Sequence, residues 1–250
     1  MTQVKTPAEI AAMRQSGKIT ASIVQLLKER VEPGMSTMDL ALLAAAEIKA
    51  YGVEAPFLGY MGYPDVILIS LNDEVVHGIP RADRVINDGD IVKLDFGVKY
   101  QGMITDHAIT TIVGKPRQKR HQQLVERTLT ALEAGIMAVH DRARTGDIGA
   151  AVQAELERWN YGVVRDLVGH GVGHSVHEDP DIPNYGRAGS GPWLKAGMTI
   201  AIEPMATLGD HRVYVADDEW TYLTQDGSMA AHFEHTVLIT QEGVEVLTAL

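Results

Sequence analysis

Ile10, Met13, Val24, Leu27 and Val31 fall on one face of a helical wheel, with polar positions between them. That spacing predicts an amphipathic helix. Thr6-Pro7-Ala8-Glu9 ahead of it reads as a capping box with proline in the first turn, and Pro33-Gly34 ends the run. A second helix is predicted from near Ser36 to Gly52, with Leu40, Leu43 and Ile48 facing inward. The pattern then changes period. Residues 66–71, 91–98, 103–113, 199–203, 213–216, 220–224 and 233–240 are rich in Val, Ile, Thr and Tyr and predict strands. Two more helices fit 117–141 and 147–160. No linker or low-complexity stretch divides the chain, so residues 1–250 are expected to form one domain.

The pattern also repeats. Pro33-Gly34, an apolar helix and Tyr51-Gly52-Val53 are echoed by Thr145-Gly146, a helix and Tyr161-Gly162-Val163. Gly89-Asp-Ile-Val-Lys-Leu-Asp95 is echoed by Gly197-Met-Thr-Ile-Ala-Ile-Glu203. The offsets, 110 residues for Gly52 and Gly162 and 108 for Gly89 and Gly197, are nearly one register. Two half-domains are expected, roughly 1–115 and 116–250, each a helix pair with antiparallel strands. The repeat sets Asp95 and Glu203 at equivalent points of two strands.

Composition narrows the class. The 250 residues are 45% apolar and 22% charged, an ordinary globular balance, and long enough for a substantial core. A net charge of −11 disfavours nonspecific adhesion to nucleic acid or anionic membrane. The absence of cysteine removes disulfides and thiolate metal sites. Met1-Thr-Gln-Val-Lys-Thr-Pro lacks the apolar run of a signal peptide, and no stretch has the length of a membrane span, so a cytoplasmic location is expected.

Four acids stand where apolar strands predict core. Asp95 ends Ile-Val-Lys-Leu-Asp-Phe, and a hairpin turning at Gln101-Gly102 sets Asp106 roughly opposite it. Glu203 ends Thr-Ile-Ala-Ile-Glu, and Glu234 lies in Ala-His-Phe-Glu-His-Thr-Val-Leu-Ile, where an inward Glu234 turns Phe233 and His235 the other way. Close buried carboxylates repel unless a cation lies between them. One such acid alone is usually a paired core residue or a turn cap. Four in a chain without cysteine suggest hard cations, with a histidine or two, as in sites for Mn, Fe, Co or Zn. Gly169-His170-Gly-Val-Gly-His174-Ser-Val-His177 supplies three histidines, but its glycines oppose a helix, and one ligand plus one proton donor is the economical division. His77, before Gly78, reads from its surroundings as an ordinary surface histidine or as a functional turn residue. His107, His121, His140, His211, His232 and His235 read as ordinary histidines.

Taken together, Leu71-Asn-Asp-Glu-Val-Val-His77-Gly-Ile-Pro, Asp95 with Asp106, Gly169-His170-Gly-Val-Gly, His177-Glu-Asp-Pro180, Ile202-Glu203-Pro and Phe233-Glu234-His-Thr resemble the type I methionine aminopeptidase family over nearly the whole chain. The resemblance implies an α+β pseudo-twofold "pita-bread" fold, an antiparallel sheet with two helix pairs packed on it. It implies two divalent metal ions (Co, Mn, Fe or Zn) held by Asp95, Asp106, His170, Glu203 and Glu234, with Asp106 and Glu234 bridging. It sets His77 and His177 beside the scissile amide, and Glu203 would also shuttle a proton to the leaving amine. Phe57, Tyr60, Tyr63, Leu68 and Trp220 match the lining of a methionine side-chain pocket. In the family resembled, many bacterial members carry cysteines at positions 57 and 68, a histidine at Met61 and a bulkier aromatic at Val176. The implied activity is removal of N-terminal methionine ahead of a small second residue. The implied partners are the N-termini of nascent or short polypeptides and the ribosome, with no direct nucleic-acid or membrane contact, for a monomeric enzyme.

Overall fold

The computed structural model describes residues 4–250; the leaderless reading of the N-terminus falls partly on residues 1–3, outside the described residues. Helix α1 spans Pro7–Arg30, α2 Thr37–Tyr51, α3 Lys119–Met137 and α4 Thr145–Glu157. Thr6 caps α1 as expected: its hydroxyl accepts from Glu9 N at 3.3 Å and Glu9 accepts from Thr6 N at 2.7 Å. Gly52 ends α2 in the left-handed region, where only glycine is unstrained. The third helix stops short of the expected residue 141. Arg142 N donates to Leu194 O (3.0 Å) and Leu194 N to Ala143 O (2.8 Å), so this stretch is drawn into a pairing incompatible with helix.

The strands are β1 Leu68–Leu71, β2 Glu74–Val76, β3 Ile91–Tyr100, β4 Met103–Ile112, β5 Gly162–Val163, β6 Gly169–Gly171 and β7 Glu178–Ile182. They continue with β8 Thr199–Ile202, β9 Met205–Thr207, β10 Val213–Val215, β11 Tyr222–Thr224, β12 Ala230–His232, β13 Glu234–Ile239 and β14 Val244–Val246. The main sheet runs β1-β3-β4-β13-β8-β6-β7, antiparallel throughout, with β14 also on β13. The sequence pattern found the long strands. It missed β2, β5, β6, β7, β9, β12 and β14, most of which are too short to show a period. The predicted strand 220–224 starts only at Tyr222, because Asp218 accepts from the backbone of Trp220 and Thr221 and bends them into a turn.

The internal repeat is visible bond by bond. Ser36 bridges Val85, and 108 residues on, Arg144 bridges Trp193. Gly34 N donates to Ile86 O as Arg142 N does to Leu194 O, and Thr37 N to Arg84 O as Thr145 N to Pro192 O. The sheet order mirrors this, β1-β3-β4 facing β13-β8-β6 across the central β4–β13 pair. One apolar cluster lies under α1 and α2, with Leu27, Leu40, Ile69 and Phe96 fully enclosed; another lies under α3 and α4, with Leu124, Ile148, Val152 and Ile202. Each such side chain contributes roughly 1.5–3 kcal/mol of burial. The opposite face of the sheet is left for the acids.

Candidate metal centre and cavity

Sheet register places the ligands. Asp95 pairs with Ala108, and Ala108 with Glu234. Extending the β13–β8 register by one residue sets Glu203, just past β8, opposite Glu234. The next row along the sheet pairs Gly97 with Asp106, Thr236 with Ala201, and Ala201 with His170. Reciprocal hydrogen bonds at 2.8 Å join Asp106 and Thr236. Residues two apart on a strand share a face, so all five predicted ligands project from two adjacent rows on one side. Asp95 and Asp106 are therefore diagonal neighbours rather than directly opposite, because the Gln101-Gly102 turn pairs Tyr100 with Met103. Gly97, Ala108 and Ala201 between them leave room for the longer side chains.

Ligand atoms of Asp106, His170 and Glu234 lie within 4.8 Å of one another, and His170 Nε2 is 3.4 Å from Glu203 Oε1. Asp95 Oδ1 and Glu234 Oε1 are buried with no hydrogen-bond partner. The nearby buried cation, Lys93, turns its ammonium away to the carbonyls of Asn72 (2.8 Å) and Ala230 (3.2 Å). Buried, orphaned carboxylate oxygens with no protein cation among them, as far as the described residues go, fit divalent metal.

The acids floor a cavity of about 480 Å³, also lined by His77, His177, Phe57, Tyr60, Tyr63, Leu68 and Trp220. Tyr63 and Trp220 meet edge to face at 5.1 Å, and Tyr63 is fixed by hydrogen bonds from its hydroxyl to Ile67 O and Gly78 O. Tyr60 Oη lies 3.0 Å from His177 Nδ1. His77 adopts φ 63, a left-handed conformation costly for a residue with a side chain, and its ring meets Tyr222 at 5.6 Å.

A model of metallopeptidase family M24 matches residues 11–241. The chain belongs to metallopeptidase family M24. Curated relatives include the methionine aminopeptidase of Mycoplasma capricolum, 42% identical over 99% of this chain and 98% of that one, and methionine aminopeptidase 1 of Bacillus subtilis, 43% identical over 98% of each. Among solved structures, a methionine aminopeptidase from Thermotoga maritima superposes with TM-score 0.98 at 44% identity over the full length of both chains. The fold extends to the prolidase of Pyrococcus horikoshii, TM-score 0.79 at 24% identity, of which this chain covers 63%. The pita-bread architecture is thus common to this chain and both of those structures.

In this M24 site, burial and mutual repulsion push Asp95, Glu203 and Glu234 well above the carboxylate range, and burial raises Asp106 to about 7. Burial, with repulsion from His177, lowers His77 to about 4. Burial also lowers His177. Both rings are thus neutral near pH 7.

The remaining histidines separate by position. His174 points out to Glu9 at 2.8 Å, so His170 and His177 alone of that glycine-rich trio line the cavity. His107 and His235 stack at 4.6 Å on the far face, as the strand alternation requires. His232, read from sequence as an ordinary histidine, is 1% exposed and its Nε2 lies 3.6 Å from Glu203 Oε2. It stands two residues before Glu234 and on the same face, in the row behind it. Tyr222 and Glu219 complete the cavity wall and were not anticipated. Tyr222 arrives through the pairing of β11 with β2, which no local pattern records.

Proposed function

We propose that this chain is a dinuclear-metal methionine aminopeptidase that removes the first residue of a polypeptide. The observation that carries the reading is one cavity that combines a floor of four acids and His170 with an apolar side wall of Phe57, Tyr63, Leu68, Val176 and Trp220. Four carboxylates and a neutral imidazole are balanced by two divalent cations. Asp95, Asp106, His170, Glu203 and Glu234 would hold them, and such ions, Co, Mn, Fe or Zn, polarise a carbonyl and acidify water near neutral pH. The methionine thioether suits a slot edged by aromatic rings, and the acids attract the substrate's α-ammonium.

Glu203 takes the proton of the attacking water and returns it to the leaving nitrogen. His177, with Tyr60 donating to Nδ1, keeps its own proton on Nε2 and offers it to the carbonyl oxygen as charge develops there. His77 orients the scissile nitrogen. The rings of His77 and Tyr222 form the wall beyond the scissile bond and favour a small second residue. The proposal extends to a monomer that acts in the cytoplasm on nascent or short chains, at the ribosome included; no helix among the described residues is long and apolar enough to cross a membrane.

The test is methionine release from Met-Ala-Ser by chelated protein resupplied with Mn, Fe, Co or Zn, beside Ala-Pro-Ala as the prolidase-type substrate. Release from the first and not the second is expected. No methionine from any metal form would end the proposal.

A further inference from the structure

A third row lies directly behind the two that carry the ligands. Ser70 pairs with Lys93, Lys93 with Thr110, and His232 with Met205, while Thr110 Oγ1 accepts from His232 N (2.9 Å) and donates to His232 O (2.5 Å). His232 therefore stands diagonal to Glu203, the same relation that Asp106 has to Asp95. It is enclosed and does not line the cavity, so a bound substrate does not touch it. Neither of its ring nitrogens has a hydrogen-bond partner among the described residues, which is rare for so deeply buried an imidazole. Its backbone is clamped by Thr110, which leaves the ring only its own torsions to adjust. Glu203 is meanwhile divided between two imidazoles: Oε1 faces His170 at 3.4 Å and Oε2 faces His232 Nε2 at 3.6 Å. A rotation that shortens the second separation by a few tenths of an ångström makes a normal hydrogen bond.

We propose that His232 is a positioning residue for Glu203, its Nε2–H donating to Oε2 so that Oε1 stays directed at the ligand cluster. This rests on the metallopeptidase reading of the site. A glutamate has three rotatable side-chain bonds, and a carboxylate that must both ligate and move a proton needs one oxygen held. Anchoring through a buried donor does this without adding charge to the cavity. Loss of such an outer partner typically costs about 10–100-fold in metal affinity or activity.

The experiment compares His232→Leu, which fills the space without a donor, with His232→Gln, which keeps an N–H. Calorimetric titration of the chelated variants with Mn and with Zn is read beside kcat and KM on Met-Ala-Ser. The leucine variant is expected to lose about 10–100-fold in metal affinity and in kcat, with KM within about twofold of the parent. The glutamine variant should recover most of both, and neither should weaken metal further in a Glu203→Gln background. Leucine and parent equal in affinity and kcat, or an undiminished leucine effect without Glu203, would overturn the inference alone. A parent chain that takes up no metal would instead overturn the reading beneath it.

Discussion

Tyr60 Oη lies 3.0 Å from His177 Nδ1, and in the proposed mechanism it donates there, which leaves the ring proton on Nε2 to face the cavity. Replacing Tyr60 by Phe keeps the edge contact between the two rings, 5.4 Å between centroids, and removes only this control. Tyr60→Phe is expected to lower kcat by about tenfold, the worth of one hydrogen bond, with little change in KM. Steady-state kinetics on a methionyl peptide check it, and an unchanged kcat would remove Tyr60 from the mechanism. Glu203→Gln keeps the shape but cannot carry the proton, and its kcat should fall by about 10²–10⁴. His77 shows the limit of residue-scale reading in sequence. Beside Gly78 it has no local signature that separates it from a surface histidine, and its left-handed backbone is seen only in the fold.

At the scale of elements, the β3–β4 hairpin and the β13–β8 pair do most of the positioning. A Cβ on Gly97 would lie 2.9 Å from Pro56 Cγ and 3.1 Å from the ring of Phe57, so this position brings a cavity wall against the strand. Gly97→Ala should cost about 1–3 kcal/mol by overpacking and displace Phe57. A raised KM for methionyl peptides and a lowered urea midpoint are the readouts; wild-type values for both would show that the wall is slack. The long strands and all four helices were legible because enough residues repeat in one period to show a face. The short strands were not, and although alternation sets His232 on the face of Glu234, its approach to Glu203 depends on β8 lying beside β13.

Over the whole molecule, two halves meet at the β4–β13 seam and crowd their acids there. Without metal, those carboxyls have folded values raised above their unfolded ones, Asp106 to about 7. The folded state then binds more protons than the unfolded state above the ordinary carboxylate range, so the stability of metal-free protein falls as pH rises from about 4 through 7. Bound cations relieve the repulsion. Chelation should therefore lower the melting temperature far more at about pH 8 than at about pH 5.5. Scanning calorimetry of both forms at both pH values tests this, and an equal loss would mean the acids do not set the stability of the empty site. The hydrophobic periods, the 108-residue repeat and the four acids in apolar strands were determined by sequence alone, because each is a local pattern or a comparison of local patterns. The two-row register, the aromatic wall and the imidazole behind Glu203 were decided only in three dimensions. They depend on which strands become neighbours, and backbone pairing between distant segments leaves no mark on the order of residues along the chain.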